Sequence, residues 1–208
     1  MQIINCEQRS PEWFAARAGM PTASQFSTVM AKGRGGGASK TRWTYLCKLA
    51  GEILTGEPMK SFVNADMERG REMEPVALEL YAQRQPEMVS MVGFVRNAIA
   101  GASPDGLVGD TGLLEIKTQE AHLHIDTALA GRPPPQHSAQ CQGQMWVTER
   151  EWCDLVIYWP KLPLLCYRIK RDEDYIKEIE SAVLRFREEL DDILEKMHAM
   201  FGKREENG

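Results

Sequence analysis

The period of the apolar residues changes near residue 86, and this change limits the folds open to the chain. Before it, apolar residues recur at steps of three and four, as in "TRWTYLCKLAGEILTG", which predicts amphipathic helices. We expect this one to end at Gly56. After it, "MVSMVGFVRN", "AIAGASPDGLVG" and "GLLEIKT" alternate or run apolar between glycine-bearing turns, which is typical of consecutive, mostly antiparallel strands. The pattern predicts a mixed α/β (α+β) protein.

Helices are predicted on both sides of these strands. Ser10 and Pro11 are typical of an N-cap and a first helical position, and the helix they begin ends before Pro21. A second short helix is expected from Thr22 or Ser24. The other helix candidates are "NADMERGREMEPVALELYAQRQ", "QEAHLHIDTALAG" and "QHSAQCQGQMWVT".

Two strands and a long helix complete the chain. The strands are "WCDLVIYWP" and "LLCYRIKR", and the helix runs from about Asp172 to His198. Its apolar residues form a seam that would pack on the body of the domain or on another subunit. Without an internal repeat or a shift in composition, we expect one domain over residues 1–208: a mainly helical part (1–85), a part with the sheet and its helices (86–171), and a C-terminal helix and tail (172–208).

Composition indicates an ordinary globular protein. The chain has 208 residues, of which 43% are hydrophobic and 26% charged, so it can bury one sizeable core. No apolar run approaches the about 20 residues that span a bilayer, and the N-terminus lacks a basic-then-apolar signal pattern. We therefore expect no membrane partner and a cytoplasmic location.

Charge is unevenly distributed along the chain. The net charge is -5, but residues 1–71 hold ten Lys and Arg against six Asp and Glu, whereas residues 171–208 hold seven against twelve. One face could therefore bind an anion while the whole molecule stays acidic.

The cysteines do not suggest a metal or disulfide framework. They are odd in number and scattered, without a CxxC or Cys/His ligand spacing, and we expect reduced thiols at Cys6, Cys47, Cys141, Cys153 and Cys166. Any metal would therefore be a hard cation bound by oxygen.

The segment "SPDGLVGDTGLLEIKT" carries the chemistry that stands out most. If "LLEIKT" is a strand, Glu115 and Lys117 share one face, and the "GDTG" turn brings Asp105 near Glu115. Two carboxylates this close repel unless a divalent cation lies between them, and Mg²⁺ suits few protein ligands. A solvated face of an edge hairpin explains the same alternation, so both interpretations stay open from the hairpin alone.

Polar residues elsewhere add to the first interpretation. Glu74 lies on the helix before the strands and could supply another acid, and Gln136, Gln140 and Gln144 recur at i, i+4 and i+8 on a later helix. The Gly-rich "KGRGGGASKT" does not match a phosphate-binding P-loop. The N-terminal region supplies the cations Arg17, Arg34, Lys40, Arg42, Arg69 and Arg71.

These residues resemble a known family. "SPDG...LEIKT" is the PD-(D/E)XK nuclease signature, and the surrounding chain resembles the phage lambda-type alkaline exonucleases, also described as YqaJ-like viral recombinases. "EWFAARAGMPTAS", "RGREMEP" and "AQCQGQMWVT" are similar to further segments of that family, in the same order, from about residue 7 to 175. The resemblance implies a restriction-endonuclease-like core, in which helices flank a mixed central sheet, with extra N-terminal helices and a long C-terminal helix.

The resemblance also implies roles for individual residues. Asp105 and Glu115 would bind Mg²⁺ with the help of the Ile116 carbonyl, and Lys117 would act on the attacking water. It further implies an accessory acid, Glu74, and a catalytic-pocket residue that contacts phosphate or water, Gln140.

A second group of residues would bind DNA. Arg17, Ser24 and Ser103 correspond to a pocket for the 5′-phosphate, and a guanidinium and two hydroxyls suit an anion. Arg34 matches a residue that inserts into the DNA near strand separation, and Met67 is a candidate apolar wedge.

The activity implied is a Mg²⁺-dependent 5′-to-3′ exonuclease on linear double-stranded DNA, in which Mn²⁺ can substitute and Ca²⁺ supports binding without cleavage. It would release 5′-mononucleotides and leave a 3′ strand for a single-strand annealing protein. Family members are typically homotrimeric rings, and an origin in a phage or prophage of a bacterial host is expected. The alternatives are an endonuclease of the same fold and a non-catalytic DNA-end-binding recombination scaffold.

Overall fold

The computed structural model describes residues 1–33, 39–59 and 65–202, without the side chains of Asp66 and Met67. Arg34 and the Met67 side chain, two of the predicted DNA contacts, therefore lie outside the described residues. The helices are α1 (Pro11–Arg17), α2 (Phe26–Met30), α3 (Lys40–Thr55), α4 (Ala65–Ala82), α5 (Ala121–Ala130), α6 (Ser138–Thr148) and α7 (Glu173–Phe201). The strands are β1 (Gln2–Ile4), β2 (Val89–Ser90), β3 (Phe94–Arg96), β4 (Gly101–Ala102), β5 (Gly106–Val108), β6 (Gly112–Thr118), β7 (Trp152–Tyr158) and β8 (Leu165–Lys170).

The predicted helix boundaries are confirmed where a capping residue sets them. Ser10 caps α1 by accepting a hydrogen bond from the Trp13 backbone N–H at 3.2 Å. The predicted second helix is a 3-10 turn, Ala23–Gln25, that leads into α2. Gly56 ends α3 at a φ of 71°, a left-handed conformation that glycine adopts at little cost.

The prediction of three strands between residues 88 and 118 is wrong in number. The segment forms five short strands in two sheets, ordered β1-β3-β4 and β2-β5-β6-β7-β8. The Asn97 side chain accepts the backbone N–H groups of Ile99 and Ala100 and so builds the turn between β3 and β4. Pro104, which has no N–H to donate, stands between β4 and β5, where the chain leaves one sheet for the other.

Strand β6 is the centre of the larger sheet. It pairs antiparallel with β5 and parallel with β7, in a register that sets Glu115 opposite Leu155 and Lys117 opposite Ile157. The parallel pair requires a crossover, which α5 and α6 provide. The interpretation of Glu115 and Lys117 as the face of an edge hairpin is therefore wrong, because strands pair with β6 on both sides.

The two faces of β6 pack against different helices. Leu114 and Ile116 belong to the cluster of Ala77 and Tyr81 on α4. Leu113 packs with Cys141 and Met145 of α6, so Glu115 and Lys117, which alternate with Ile116, face α6 as well. Helix α4 is anchored by the Tyr81 hydroxyl, which donates to the buried carboxylate of Asp154 on β7 at 2.6 Å.

The apolar seam of α7 packs on the body of the domain, the first of the two alternatives that the sequence left open. Five of its buried residues join one cluster with residues of α2 and α3: Ile179, Ala182, Val183, Phe186 and Leu190. The five cysteines are free thiols. In the part of the chain that the structure describes, no helix combines the length and the apolar character needed to cross a membrane.

Candidate active site

Asp105 is tied to the strand that carries Glu115. It lies just before β5, where its backbone N–H donates to the Leu114 carbonyl at 3.0 Å. Its Oδ2 accepts the backbone N–H of Ile116 at 2.6 Å. The hairpin therefore brings the two acids together, as the sequence predicts.

Glu115 is a buried carboxylate with three donors. Its side chain is 3% exposed and its Oε1 lies 2.6 Å from Lys117 Nζ. Gln140 Nε2 donates to the same oxygen at 2.5 Å, and Gln144 Nε2 donates to Oε2 at 2.6 Å. A buried charge is tolerated when its oxygens are paired in this way, and these partners fix its orientation.

The electrostatics of the site depend on burial and on the acids together. Burial raises the pKa of Asp105 well above its usual range, and the charges of Glu115 and Glu74 raise it further. Burial lowers the pKa of Lys117, but the adjacent Glu115 carboxylate outweighs it, so the net pKa is raised and the ammonium keeps its proton. Burial, with the charge of Lys117, lowers the pKa of His137 to about 4, which leaves a neutral imidazole just before α6.

The donor set at Asp105 and Glu115 fits a hard divalent cation. Two neighbouring carboxylates that repel, one of them with a raised pKa, are the arrangement that a bound cation relieves. Across residues 1–33, 39–59 and 65–202, no group of three or more His, Cys, Asp or Glu is placed to hold a metal. A site with two carboxylates and a backbone carbonyl therefore suits Mg²⁺, which keeps several of its waters, better than a metal that needs a full protein cage.

Glu74 has a partner that the sequence did not reveal. Its Oε2 lies 2.6 Å from Nη2 of Arg9, and its charge acts on Asp105. Arg9 has a φ of 72°, a left-handed conformation that is uncommon for a residue with a side chain. The Gln8 amide, bonded to the Val92 and Pro104 carbonyls, holds this segment beside the hairpin.

The row of three glutamines predicted on one helix is only partly correct. Helix α6 begins at Ser138, so Gln140 and Gln144 lie on it, while Gln136 is exposed on a preceding 3-10 turn. The side-chain amide of Gln140 lies against the Glu115 carboxylate. The sequence named Gln144 only as a member of this row and gave it no role of its own, whereas its amide donates to the second oxygen of Glu115.

Replacing Gln144 by leucine is expected to lower the stability of the protein by about 1 to 3 kcal/mol, because one oxygen of Glu115 then stays buried without its amide donor. The melting temperature measured by circular dichroism should fall. The matched variant Gln136→Leu removes an exposed amide of the same kind and should leave the melting temperature within about 1 °C. Equal melting temperatures for the two variants would contradict the assigned role of Gln144.

A large basic cavity adjoins the acids. Its volume is about 1070 Å³, and Glu74, Ile116 and Lys117 form one end of it. Two acids line it, Glu52 and Glu74. They are outnumbered by the cations, which are Arg9, Arg17, Lys40, Lys48, Arg71 and Lys117. Such a lining favours an anionic ligand.

Two of the three residues predicted to bind a 5′-phosphate line this cavity. Arg17 and Ser24 line it, and Arg17 Nη1 donates to Ser103 Oγ at 3.0 Å. The guanidinium stacks on the Trp13 ring at 3.9 Å. Burial lowers the pKa of Arg17 to about 10, so it remains a cation at neutral pH.

The other predicted cations divide between this cavity and the surface. Lys40 and Arg71 line it. Arg42 instead pairs with Glu189 of α7 at 2.6 Å. Arg69 lies 3.7 Å from Glu120 and over the Trp159 ring. The sequence alone did not separate these two groups.

The sequence and fold of this chain are similar to those of an alkaline exonuclease of known structure. The crystal structure of the alkaline exonuclease LHK-Exo from Laribacter hongkongensis is 42% identical, covers 92% of this chain and 97% of that chain, and superposes with a TM-score of 0.83. The structure of LHK-Exo in complex with dAMP gives the same identity and coverage and a TM-score of 0.84.

The family follows from a second comparison. The model of the YqaJ-like viral recombinase domain matches residues 12–151. A phage-related exonuclease from Haemophilus somnus 129PT, 15% identical over 86% of this chain and 96% of that chain, shares the fold with a TM-score of 0.65. No curated protein matches. The chain belongs to the YqaJ-like viral recombinase family, which confirms the resemblance and the fold class predicted from its sequence.

Proposed function

We propose that this protein is a Mg²⁺-dependent exonuclease that degrades one strand of linear double-stranded DNA from its 5′ end. It would release 5′-mononucleotides and leave a 3′ single strand for recombination by annealing. The observation that carries this proposal is Glu115, buried on the central strand with its Oε1 2.6 Å from the Lys117 ammonium, while Lys117 itself lines a basic cavity. Family membership and the likeness to LHK-Exo support a nuclease.

Asp105, Glu115 and the Ile116 carbonyl would hold the Mg²⁺. When bound, the ion supplies polarisation of the phosphoryl oxygen and a lower pKa for the attacking water. Mn²⁺ can replace it, whereas Ca²⁺, with its larger and looser shell, would support binding but not cleavage.

Lys117 and the glutamines supply the rest of the chemistry. The Lys117 ammonium, held by Glu115, lies at the cavity end where charge builds on a phosphoryl oxygen, and it stabilises that charge. Gln140 and Gln144 keep the Glu115 carboxylate in one orientation, which preserves the position of the ligands. Glu74, held by Arg9, adds a further acid at the edge of the site.

The DNA end would be recognised at the other side of the cavity. The Arg17 guanidinium donates to Ser103 and makes no other hydrogen bond in the described part of the chain, so its remaining N–H groups are available to a phosphate. Ser24 lines the same cavity. LHK-Exo was solved in complex with dAMP, and a nucleotide is the product that we propose here.

The assembly proposed is a homotrimeric ring that encloses the DNA, together with a single-strand annealing protein as partner in the bacterial host. A ring requires a heterologous interface that closes after three copies. The acidic α7 would lie outside the DNA channel, because its buried residues face α2 and α3 and its charged residues face away from the core.

One degradation assay tests the proposed function. Nucleotide release in Mg²⁺ is measured on linear duplexes with a 5′-phosphate or a 5′-hydroxyl and on closed circular DNA. The 5′-phosphate end should be degraded at least about tenfold faster than the 5′-hydroxyl end, since a lost charge-assisted contact of about 1.4 kcal/mol corresponds to that factor.

The other outcomes separate the alternatives. Closed circular DNA should remain intact, and its cleavage at the rate of linear DNA would instead show an endonuclease of the same fold. DNA binding without nucleotide release in Mg²⁺ or Mn²⁺ would show a non-catalytic scaffold.

A further inference from the structure

Tyr45 carries a hydroxyl that lines the basic cavity and is held there by Thr22. Its phenol oxygen accepts the backbone N–H of Thr22 at 3.2 Å. A phenol can accept and donate at once, and a half-buried tyrosine hydroxyl ordinarily does both. The Thr22 hydroxyl also contacts the phenol, and that hydroxyl is itself shared with Ser24. An acceptor oxygen of a ligand in the cavity would compete with the Thr22 hydroxyl for the phenol proton.

The position of this hydroxyl is fixed. Tyr45 lies on α3, and its ring packs against Phe186 of α7 with the centroids 5.5 Å apart. Burial raises the pKa of Tyr45, so the phenol stays protonated in neutral and mildly alkaline solution. The side chain can therefore offer a donor in one place without further ordering.

Thr22 links this hydroxyl to the predicted phosphate pocket. Its backbone N–H holds Tyr45, and its Oγ1 lies 3.3 Å from the Ser24 hydroxyl. Tyr45, Ser24 and Arg17 line the same cavity, and the charge of Arg17 acts on the Tyr45 phenol. Two hydroxyls and a guanidinium thus occupy one end of the cavity.

The nearby acid Glu52 acts on Arg17 and Tyr45 through its charge rather than through a hydrogen bond. Glu52 is buried, and its carboxylate oxygens accept the backbone N–H of Gly19 at 2.8 Å and that of Met59 at 3.2 Å. No hydrogen bond joins it to Tyr45, Ser24 or Arg17 in the described residues. Arg17 donates to the Ser103 hydroxyl, and Ser24 lies in hydrogen-bond range of the Thr22 hydroxyl. No carboxylate of the described residues accepts from either, which suits a ligand rich in acceptor oxygens.

We propose that Tyr45 donates a hydrogen bond to an oxygen of the terminal 5′-phosphate and is a specificity-determining residue for phosphorylated DNA ends. The proposal rests on the proposed exonuclease function. It adds to the predicted pocket a neutral donor that contacts the phosphate together with Arg17 and Ser24.

The test compares the two DNA ends in the variant Tyr45→Phe, which keeps the ring on Phe186. The kcat/KM on a 5′-phosphate duplex should fall about tenfold, a factor equivalent to one lost hydrogen bond to a charged group. The kcat/KM on a 5′-hydroxyl duplex should stay within about twofold of wild type, so the preference between the ends collapses. Thermal melts confirm that the variant is folded.

Two further variants make the result decisive. Tyr175→Phe removes a hydroxyl from another partly buried tyrosine of the same core cluster and should change neither rate. Ser24→Ala should reduce the preference for phosphate as Tyr45→Phe does. If Tyr45→Phe loses kcat/KM equally on both DNA ends, or keeps the wild-type preference for 5′-phosphate, the role of Tyr45 is overturned. A reduced preference in Ser24→Ala would still support the phosphate pocket. A wild-type protein without any end preference would instead overturn the proposed recognition of the 5′-phosphate.

Discussion

Lys117→Ala is expected to slow nucleotide release by about 10³-fold while DNA binding survives, because one preorganised donor at the reacting phosphate commonly contributes that much. The ammonium lies 2.6 Å from Glu115 at the end of the cavity, and its pKa is raised by that carboxylate. It acts as a cation, so its loss removes charge stabilisation. Single-turnover release in Mg²⁺ measures the rate, and fluorescence anisotropy in Ca²⁺ measures binding.

The design of this experiment separates charge from structure. Glu115 keeps two amide donors in Lys117→Ala, which preserve its orientation. It loses its buried cationic partner, so the melting temperature should fall, and both assays are run well below it. Lys117→Arg retains the charge in a larger group and should keep more activity than alanine does. Lys170→Ala, at an exposed lysine on β8, is the control and should be unchanged. A Lys117→Ala protein within tenfold of the wild-type rate would remove Lys117 from the chemistry.

The sequence predicted the hairpin better than its surroundings. Alternation along "GLLEIKT" shows that Glu115 and Lys117 share a face, because side chains alternate along any strand. Alternation does not show whether that face is solvated. The answer lies in β7, which begins at Trp152 and pairs with β6 across an α5 and α6 crossover. Such a nonlocal pairing leaves no local signal in the strand itself.

Local signals also explain which elements were found and which were not. Caps at Ser10 and Gly56 set helix ends through contacts within a few residues, and both were predicted. The two-residue strands β2 and β4 are too short to show a period, so the division into two sheets was missed.

The residues whose roles at the site were missed share one property. Arg9, Tyr45 and Gln144 act through partners that lie 65, 23 and 29 positions away in the chain. Arg9 also adopts a left-handed backbone without the glycine that would have signalled it. A chemical motif reveals residues of unusual type and spacing, but a common residue gains its role from the fold that surrounds it.

Asp105→Asn is expected to abolish nucleotide release and, in the absence of divalent ions, to raise the thermal stability. Burial and the charges of Glu115 and Glu74 raise the pKa of Asp105, so its ionised form is costly in the folded protein. Asparagine removes that charge and keeps an oxygen that can accept the Ile116 N–H. A gain of about 1 kcal/mol would raise the melting temperature by about 2 to 4 °C in a chain of this length.

The raised pKa of Asp105 also predicts how the stability of the wild type changes with pH. A folded-state pKa raised above the unfolded value contributes stability in acid, and that stability is lost as the pH rises through the folded pKa. In EDTA, the melting temperature of the wild type should therefore fall as the pH rises through the folded-state pKa of Asp105, and that of Asp105→Asn should fall less. In acid, the two melting temperatures should converge.

Divalent ions should reverse the order of the two proteins. Mg²⁺ binding to the folded state raises the melting temperature of the wild type, and Asp105→Asn, which lacks one of the two carboxylates, should respond weakly. Asp126→Asn, at an exposed acid on α5, should behave as the wild type does in both conditions. If Asp105→Asn instead melts below the wild type in EDTA, the hydrogen bond from the Ile116 N–H to the Asp105 carboxylate outweighs the repulsion from Glu115 and Glu74. If the wild type is more stable than Asp105→Asn in Mg²⁺ but less stable in EDTA, the two acids are kept for binding the ion rather than for stabilising the fold.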